Sequence, residues 1–310
     1  MKLIAVETCN KLEKNGLRHK DNMTCLLQAR SRTVSFPRRP LIMGILNIND
    51  DSFSGDGRLD AAWALRRAKE MAAAGADIID VGGESARTNR AAVPAEEEWR
   101  RIEPFIENFS SAMSRVRPFD DVQVFPPLLS VNTWRPDVAA PALAAGAEIL
   151  NDMGALPDAA NARLCAATGA ALLIMHSVGA PKVAHTHVRW PDVLAAMEEF
   201  FEEKIALARS AGVPEEAIIL DPGIDFAKQR DDNLRIYREL PRLRRFGRPI
   251  LLPVSRKGVI GDVLGIADAA ERDAGTVACL VAGQLRDAAI FRVHNVTAAS
   301  QAVRAVEVVT

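Results

Sequence analysis

The chain has 310 residues, 48% hydrophobic and 25% charged, and 39 basic against 40 acidic side chains give a net charge of −1. That composition belongs to a folded globular domain with ample material for a core. The near balance of charge excludes broad electrostatic attraction to nucleic acid or an anionic membrane, so any anionic substrate must be held by locally placed cations.

Residues 1–30 show no clear periodicity and read as a loosely ordered extension, Met23 being a second possible start. We therefore divide the chain into an extension over 1–32 and a single domain over 33–310. Within 1–38 only 3–6 are apolar before the charged stretch 11–20, which is not a secretory signal. No apolar run approaches the ~18 residues of a membrane span. Cys9, Cys25, Cys165 and Cys279 are scattered without a Cys-x-x-Cys pair, as expected of free thiols in the cytoplasm.

Residues 33–36, the turn Pro37-Arg38-Arg39-Pro40 and 41–46 read as a short strand, a turn and a first barrel strand, a hairpin able to plug a barrel floor. Eight short apolar runs then end on polar residues. Residues 41–46 lead to Asn47, 77–79 to Asp80, 128–131 to Asn132, and 147–150 to Asn151 and Asp152. Residues 171–175 lead to His176, 217–220 to Asp221, 250–254 to Ser255, Arg256 and Lys257, and 288–293, interrupted by Arg292, to His294.

Helical patterns separate most of these runs. Asp60 can cap a helix that Gly75 ends, and 95–114 reads as a second helix. Leu194, Met197, Phe201, Ile205 and Ala208 share one helical face stopped by Gly212, and Thr297 can cap a last helix. The segment 117–127, rich in proline and partly acidic, has no evident place. Strand, polar tip and helix repeated eight times predict an α/β fold, a (β/α)8 TIM barrel with an N-terminal strand or hairpin extension, whose active site lies at the carboxyl ends of the strands. A doubly wound open sheet uses the same alternation, but no G-x-G-x-x-G follows the first strand.

The strand tips carry recognisable motifs. Met43-Gly-Ile-Leu-Asn47 with Asp51-Ser-Phe53 and Ile79-Asp-Val-Gly-Gly-Glu-Ser85 come first. Ile149-Leu-Asn151-Asp152, Met175-His176, Leu220-Asp-Pro-Gly223 with Phe226, Ser255-Arg-Lys257 and Arg292-Val-His294 follow. In this order they resemble the dihydropteroate synthases, over about residues 41–306. The resemblance implies a barrel that condenses a pterin-methyl diphosphate with 4-aminobenzoate, releasing pyrophosphate in folate synthesis. It also implies Mg²⁺ and a homodimer.

The chemistry of each residue fits that expectation. A pterin edge offers two adjacent N–H donors, which the carboxylate of Asp221 accepts as a charge-assisted pair. Asn151 brings both a donor and an acceptor to the other edge, and Lys257 can donate to the pterin carbonyl or ring nitrogen. Arg292 and His294 alternate on the last strand and project to one side, where a planar guanidinium suits diphosphate oxygens. With Lys257 and Asp221 they form the expected catalytic set. The remaining assignments are implied by resemblance alone: Asp80, Asn132 and Met175 at the pterin, and Asn47 at the diphosphate as a ligand of Mg²⁺. Ser85, Ala86, Arg87, Phe226 and Ser255 would face 4-aminobenzoate. No Ser/His/Asp or Cys/His triad is recognisable, in keeping with a reaction driven by positioning and electrostatics.

The chain departs from the family pattern at several points. Asn132 stands where aspartate is usual, trading an acceptor for a donor. Ala86 and Thr88 replace a threonine and a proline, and the Ile-Asn-Asp that follows Asn47 lacks the usual Thr-Pro. Asp225 replaces a glycine before Phe226, adding negative charge. The diphosphate side thus keeps the pattern better than the acceptor side, which points to an altered acceptor pocket with poor sulfonamide binding. Two alternatives follow: a relative that binds pterin but uses another acceptor or none, and a folate-dependent methyltransferase. His185 and His187 suggest a metal only by spacing, while Arg242, Arg244, Arg245 and Arg248 and Glu198, Glu199, Glu202 and Glu203 read as solvated faces.

Overall fold

The computed structural model describes residues 24–49, 59–85, 91–183 and 185–310. A hairpin, β1 (Cys25–Ala29) and β2 (Arg32–Phe36), precedes the alternating series. That series begins β3 (Leu41–Asn47), α1 (Ala61–Ala73), β4 (Ile78–Gly82), α2 (Ala95–Met113), β5 (Leu128–Asn132), α3 (Pro136–Ala144), β6 (Ile149–Asp152) and α4 (Ala160–Thr168). It continues β7 (Ala171–Met175), α5 (Val193–Ser210), β8 (Ile218–Asp221), α6 (Arg230–Glu239), β9 (Leu251–Leu252), α7 (Gly258–Leu264), α8 (Asp273–Gln284), β10 (Ile290–Val293) and α9 (Val296–Val309).

Strands β3 to β10 are all parallel, in the order β8-β7-β6-β5-β4-β3-β10-β9. A parallel bridge between Leu220 and Ile250, with the Leu220 amide donating to the Pro249 carbonyl at 3.1 Å, joins the two ends into a ring. Closure rules out the open sheet and leaves the expected barrel.

Period-two geometry sorts each strand into an outward and an inward stripe. On β3, Ile42 and Leu46 pack with the helices, whereas Leu41 and Met43 lie in a second core with Ile78, Leu128, Ile149, Leu173, Ile219, Leu251 and Ile290. These inward residues fill the lower barrel. Further along the same stripe, Asn47, Asn132, Asn151, Asp221 and Arg292 reach a cavity at the carboxyl ends. The stripe is apolar below and polar above, which is how each short apolar run delivers one polar tip.

The floor differs from expectation. β2 pairs with β1, Cys25 opposite Phe36 and Ala29 opposite Arg32, and not with residues 41–46. The physical reason is competition: β3 already has β10 on one side and β4 on the other. The tail of the supposed loose extension is therefore an ordered strand, and Leu27, Ala29, Val34 and Phe36 of the hairpin close the inner core from below. Residues 1–23 lie outside the described residues.

The segment 117–127 also finds its place there. Gln123 donates to the Ala72 and Ala76 carbonyls at 2.9 and 2.7 Å, and Asp120 holds Arg39 with both oxygens at 2.6 and 2.8 Å.

Asp60 caps α1 through the amides of Ala62 and Trp63, and Gly75 follows that helix at φ +99°. The cap of α9 is Asn295, whose side chain accepts from the Ala298 amide; Thr297 lies inside the helix. Asn295 also donates to Asp273 at 3.0 Å, a tertiary contact that selects it over Thr297. The arginine and glutamate runs are not merely solvated faces, because Arg242 pairs with Glu198, Arg245 with Glu202 and Arg248 with Glu215. Among the described residues, no helix is long and apolar enough to cross a membrane.

Candidate active site

A cavity of about 700 Å³ opens at the carboxyl ends of the strands. Of the residues expected at a site, it is lined by Asn47, Ser85, Asn132, Asn151, Met175, Asp221, Phe226, Ser255, Lys257, Arg292 and His294. Residues that lie far apart in sequence thus converge on one space. Ala86, Arg87 and Thr88 lie outside the described residues.

Asp80 does not line the cavity. Fully buried, its Oδ1 accepts from the Ser130 hydroxyl at 2.6 Å. Its Oδ2 accepts from Asn151 Nδ2 at 3.0 Å and from Arg292 Nε at 2.7 Å. Both oxygens are taken by these donors, so Asp80 orients Asn151 and Arg292, two residues that do line the cavity. A buried carboxylate with a guanidinium and two neutral donors is satisfied and holds its partners in one geometry.

At β8, Asp221 is 4% exposed, and its Oδ1 accepts from the Gly223 amide at 2.7 Å. Burial pushes its carboxyl up to about 6, opposed by the Gly223 hydrogen bond and by the positive charges of Lys257, Arg292 and Lys228. Gly223 is at φ +64°, and a Cβ there would lie 2.1 Å from the His176 carbonyl oxygen, so the Asp-Pro-Gly turn admits no side chain.

Lys257 precedes α7. Its Nζ donates to the Ile224 carbonyl at 2.8 Å and lies 5.0 Å from the Phe226 ring centroid, a cation–π contact. Burial lowers its pKa, with Asp225 and Asp221 opposing. Sequence reasoning missed a second lysine, Lys228, which lines the same cavity. Its Nζ donates to the His176 and Phe226 carbonyls at 3.1 and 3.0 Å, and burial brings its pKa down to about 7. The only local sign was its position two residues beyond Phe226, in the loop that begins at Asp221.

Beyond β9, Ser255 Oγ lies 2.8 Å from His294 Nδ1 and accepts from the His294 amide at 3.1 Å, tying this segment to the end of β10. Arg256 points away, its guanidinium held by both oxygens of Asp273. Asn132 Nδ2 lies 2.8 Å from Met153 Sδ at the cavity wall.

At β7 the inward residue is Met175. His176 faces outward among Trp190, Phe200 and Phe201, and burial drives its pKa well down. Asp152 likewise turns outward, to Asn161.

Over the mouth, Lys182 of the β7–α5 loop donates to the Ser85 carbonyl at 2.9 Å and pairs with Glu84 at 3.4 Å. Glu84 and Glu98 share Arg135 beneath. Among the described residues no group of three or more His, Cys, Asp or Glu could hold a metal; the His185 and His187 rings contact each other, and His185 Nε2 lies 3.3 Å from the Ala180 carbonyl oxygen.

A closed barrel that gathers Asp221, Asn47, Asn132, Asn151, Lys228, Lys257, Arg292 and His294 around one cavity defines a barrel enzyme whose site suits a polar, anionic substrate. The chain belongs to the pterin binding enzyme family, whose model matches residues 43–294. It is 36% identical over 269 residues to the dihydropteroate synthase of Escherichia coli K12, covering 86% of this chain and 91% of that one. Among solved structures it resembles Yersinia pestis dihydropteroate synthase in complex with a sulfonamide drug, at TM-score 0.82 and 33% identity over 92% of this chain and 98% of that one. The Thermus thermophilus dihydropteroate synthase in complex with 4-aminobenzoate has TM-score 0.78 and 35% identity, covering 92% and 100%.

Proposed function

We propose that the chain is a dihydropteroate synthase, joining 6-hydroxymethyl-7,8-dihydropterin diphosphate to 4-aminobenzoate with release of pyrophosphate. The observation that carries this reading is the meeting of Asp221, Asn151, Lys257, Arg292 and His294 at one cavity. The pterin lies between Asn132, Asn151 and Met175, its two adjacent N–H groups on the Asp221 carboxylate. Lys257 donates to the pterin carbonyl or ring nitrogen. Arg292, set by Asp80, and His294, set by Ser255, hold the diphosphate at the end where barrels commonly place phosphate. A folate-dependent methyltransferase has no use for these cations together.

Cleavage of the C–O bond to the diphosphate leaves a delocalised pterin-methyl cation, which the ionised Asp221 stabilises. The aryl amine attacks the methylene carbon, the new C–N bond forms, and the surplus amine proton passes to the departing pyrophosphate or to solvent. The protein's part is to orient the reactants and supply charge where it develops.

Mg²⁺ takes few protein ligands and relies on substrate oxygens and water. The single side-chain oxygen of Asn47, at the cavity edge, fits that donor set. When bound, the ion would neutralise charge on the leaving diphosphate.

Ser85, Phe226 and Ser255 line the same cavity, and by resemblance they face 4-aminobenzoate together with Ala86 and Arg87. Asp225, with Ala86 and Thr88, makes the acceptor side unlike the family pattern, and weak sulfonamide binding is expected; Asn132 alters the pterin side. Val263 and Leu264, at 48% and 50% exposure, line an apolar groove between α7 and α8 that suits a homodimer, with the cytoplasm as the expected compartment.

Mixing the purified protein with 6-hydroxymethyl-7,8-dihydropterin diphosphate, Mg²⁺ and 4-aminobenzoate should release pyrophosphate in step with 7,8-dihydropteroate. Binding of the pterin without turnover would instead favour a non-catalytic relative or one with another acceptor.

A further inference from the structure

Asp225 occupies a backbone position shaped for glycine, at φ +71°, a conformation that side chains with a Cβ rarely adopt. Its carboxylate explains why it is tolerated there. Oδ2 accepts from the Gly258 amide at 2.6 Å and Oδ1 from the Val259 amide at 3.3 Å, the first two amides after Lys257. Asn233 of α6 fixes the carboxylate from behind, its Nδ2 donating to Asp225 Oδ1 at 3.2 Å and its Oδ1 accepting from the Asp225 amide at 2.8 Å. The residues on either side of Asp225 hold the other end of Lys257: Ile224 accepts from Nζ, and the Phe226 ring lies against it. One stretch of three residues therefore holds the two amides that follow Lys257 and also its ammonium.

We propose that Asp225 is a positioning residue for Lys257. By bonding the amides of Gly258 and Val259 it locks the β8–α6 loop to the start of α7, and so aims the lysine ammonium into the pterin end of the cavity. This deepens the synthase reading and rests on it for the identity of the ligand. The charged groups facing Lys257 are Asp221 of β8, Asp225 and Lys228 of the following loop, and Arg292 of β10. Of these, Asp225 favours the charged lysine most strongly.

The test compares the full chain with Asp225→Asn, Asp225→Ala and Asp225→Gly. Three quantities are read: steady-state kinetics, thermal midpoint, and the titration of Lys257 Nζ by NMR of ¹⁵N-lysine protein, its resonance assigned with Lys257→Gln. The kcat/KM should fall about tenfold in the Ala and Gly variants, mainly through kcat, and less in Asn, which keeps one acceptor oxygen. In all three the Lys257 titration should move to lower pH, by about one unit, together with the alkaline limb of the rate profile.

The Gly variant, relieved of its left-handed backbone, should melt higher than the Ala variant while sharing its kinetic loss. An unmoved Lys257 titration, or a kinetic loss that follows the melting order, would overturn the proposal. Because the titration needs no turnover, a chain without synthase activity would refute the function and still decide the role of Asp225.

Discussion

Asp77 and Asp221 stand at opposite ends of the barrel and share almost everything except what their oxygens do. They are 2% and 4% exposed, and burial pushes each carboxyl up to about 6. At the floor, Asp77 spends both oxygens on backbone, accepting from the Ile42 and Val124 amides at 2.8 Å each. At the mouth, the Asp221 carboxylate accepts from the Gly223 amide, its one hydrogen bond among the described residues, and Asp221 lines the cavity. A perturbed acid is therefore no sign of chemistry by itself. The acceptor capacity left over for a ligand separates the two ends.

Substitutions at the two aspartates should break along that line. Asp221→Asn is expected to cost the largest amount, about a hundredfold or more in kcat/KM by steady-state pyrophosphate release, since the site loses the acceptor it offers the pterin. Its fold should survive, because the amide oxygen still accepts from Gly223. Asp77→Ala should do the reverse. Leaving the Ile42 and Val124 amides without partners should cost roughly 2 to 3 kcal/mol in urea unfolding, with kcat unchanged.

A pH series sharpens the contrast. The Asp221 carboxyl titrates near 6 in the folded chain against an ordinary 3.8, so between these values the folded state binds the extra proton. Stability contributed through this group therefore falls as pH rises through that window. Asp221→Asn removes the cost, and its stability relative to the parent should rise by roughly 1 to 3 kcal/mol between about pH 4 and pH 7. Activity runs the other way, with an acid limb near pH 6 as the carboxylate becomes protonated. The smallest effect belongs to Ser130→Ala, which takes one of three donors from Asp80 and should lower kcat/KM about threefold while Arg292 stays in place.

The strand tips were legible because strand, tip and helix are each local patterns, and Asp60 and Gly75 mark a helix by chemistry within a few residues. The misplacings came from contacts between distant segments. Nothing near residues 33–36 shows that β3 is already flanked on both sides, and nothing near Thr297 shows Asp273 drawing Asn295 into the cap. Asp80 matched a motif, but its burial under Arg292 and Asn151 depends on three other strands. Lys228 resembles a surface lysine until the turn at Gly223 brings the His176 carbonyl against it. His176 shows how sharply period two decides, since one step along β7 moves a side chain from the cavity to the helices.

The central claim is that Asp221, at the mouth, carries pterin recognition while the equally perturbed Asp77 carries only the fold. Calorimetric titration of pterin diphosphate with Mg²⁺ into the parent, Asp221→Asn and Asp77→Asn tests it directly. The account expects one site per chain in the parent and in Asp77→Asn, with binding lost in Asp221→Asn. Undiminished binding to Asp221→Asn, or binding lost in a folded Asp77→Asn, would contradict it.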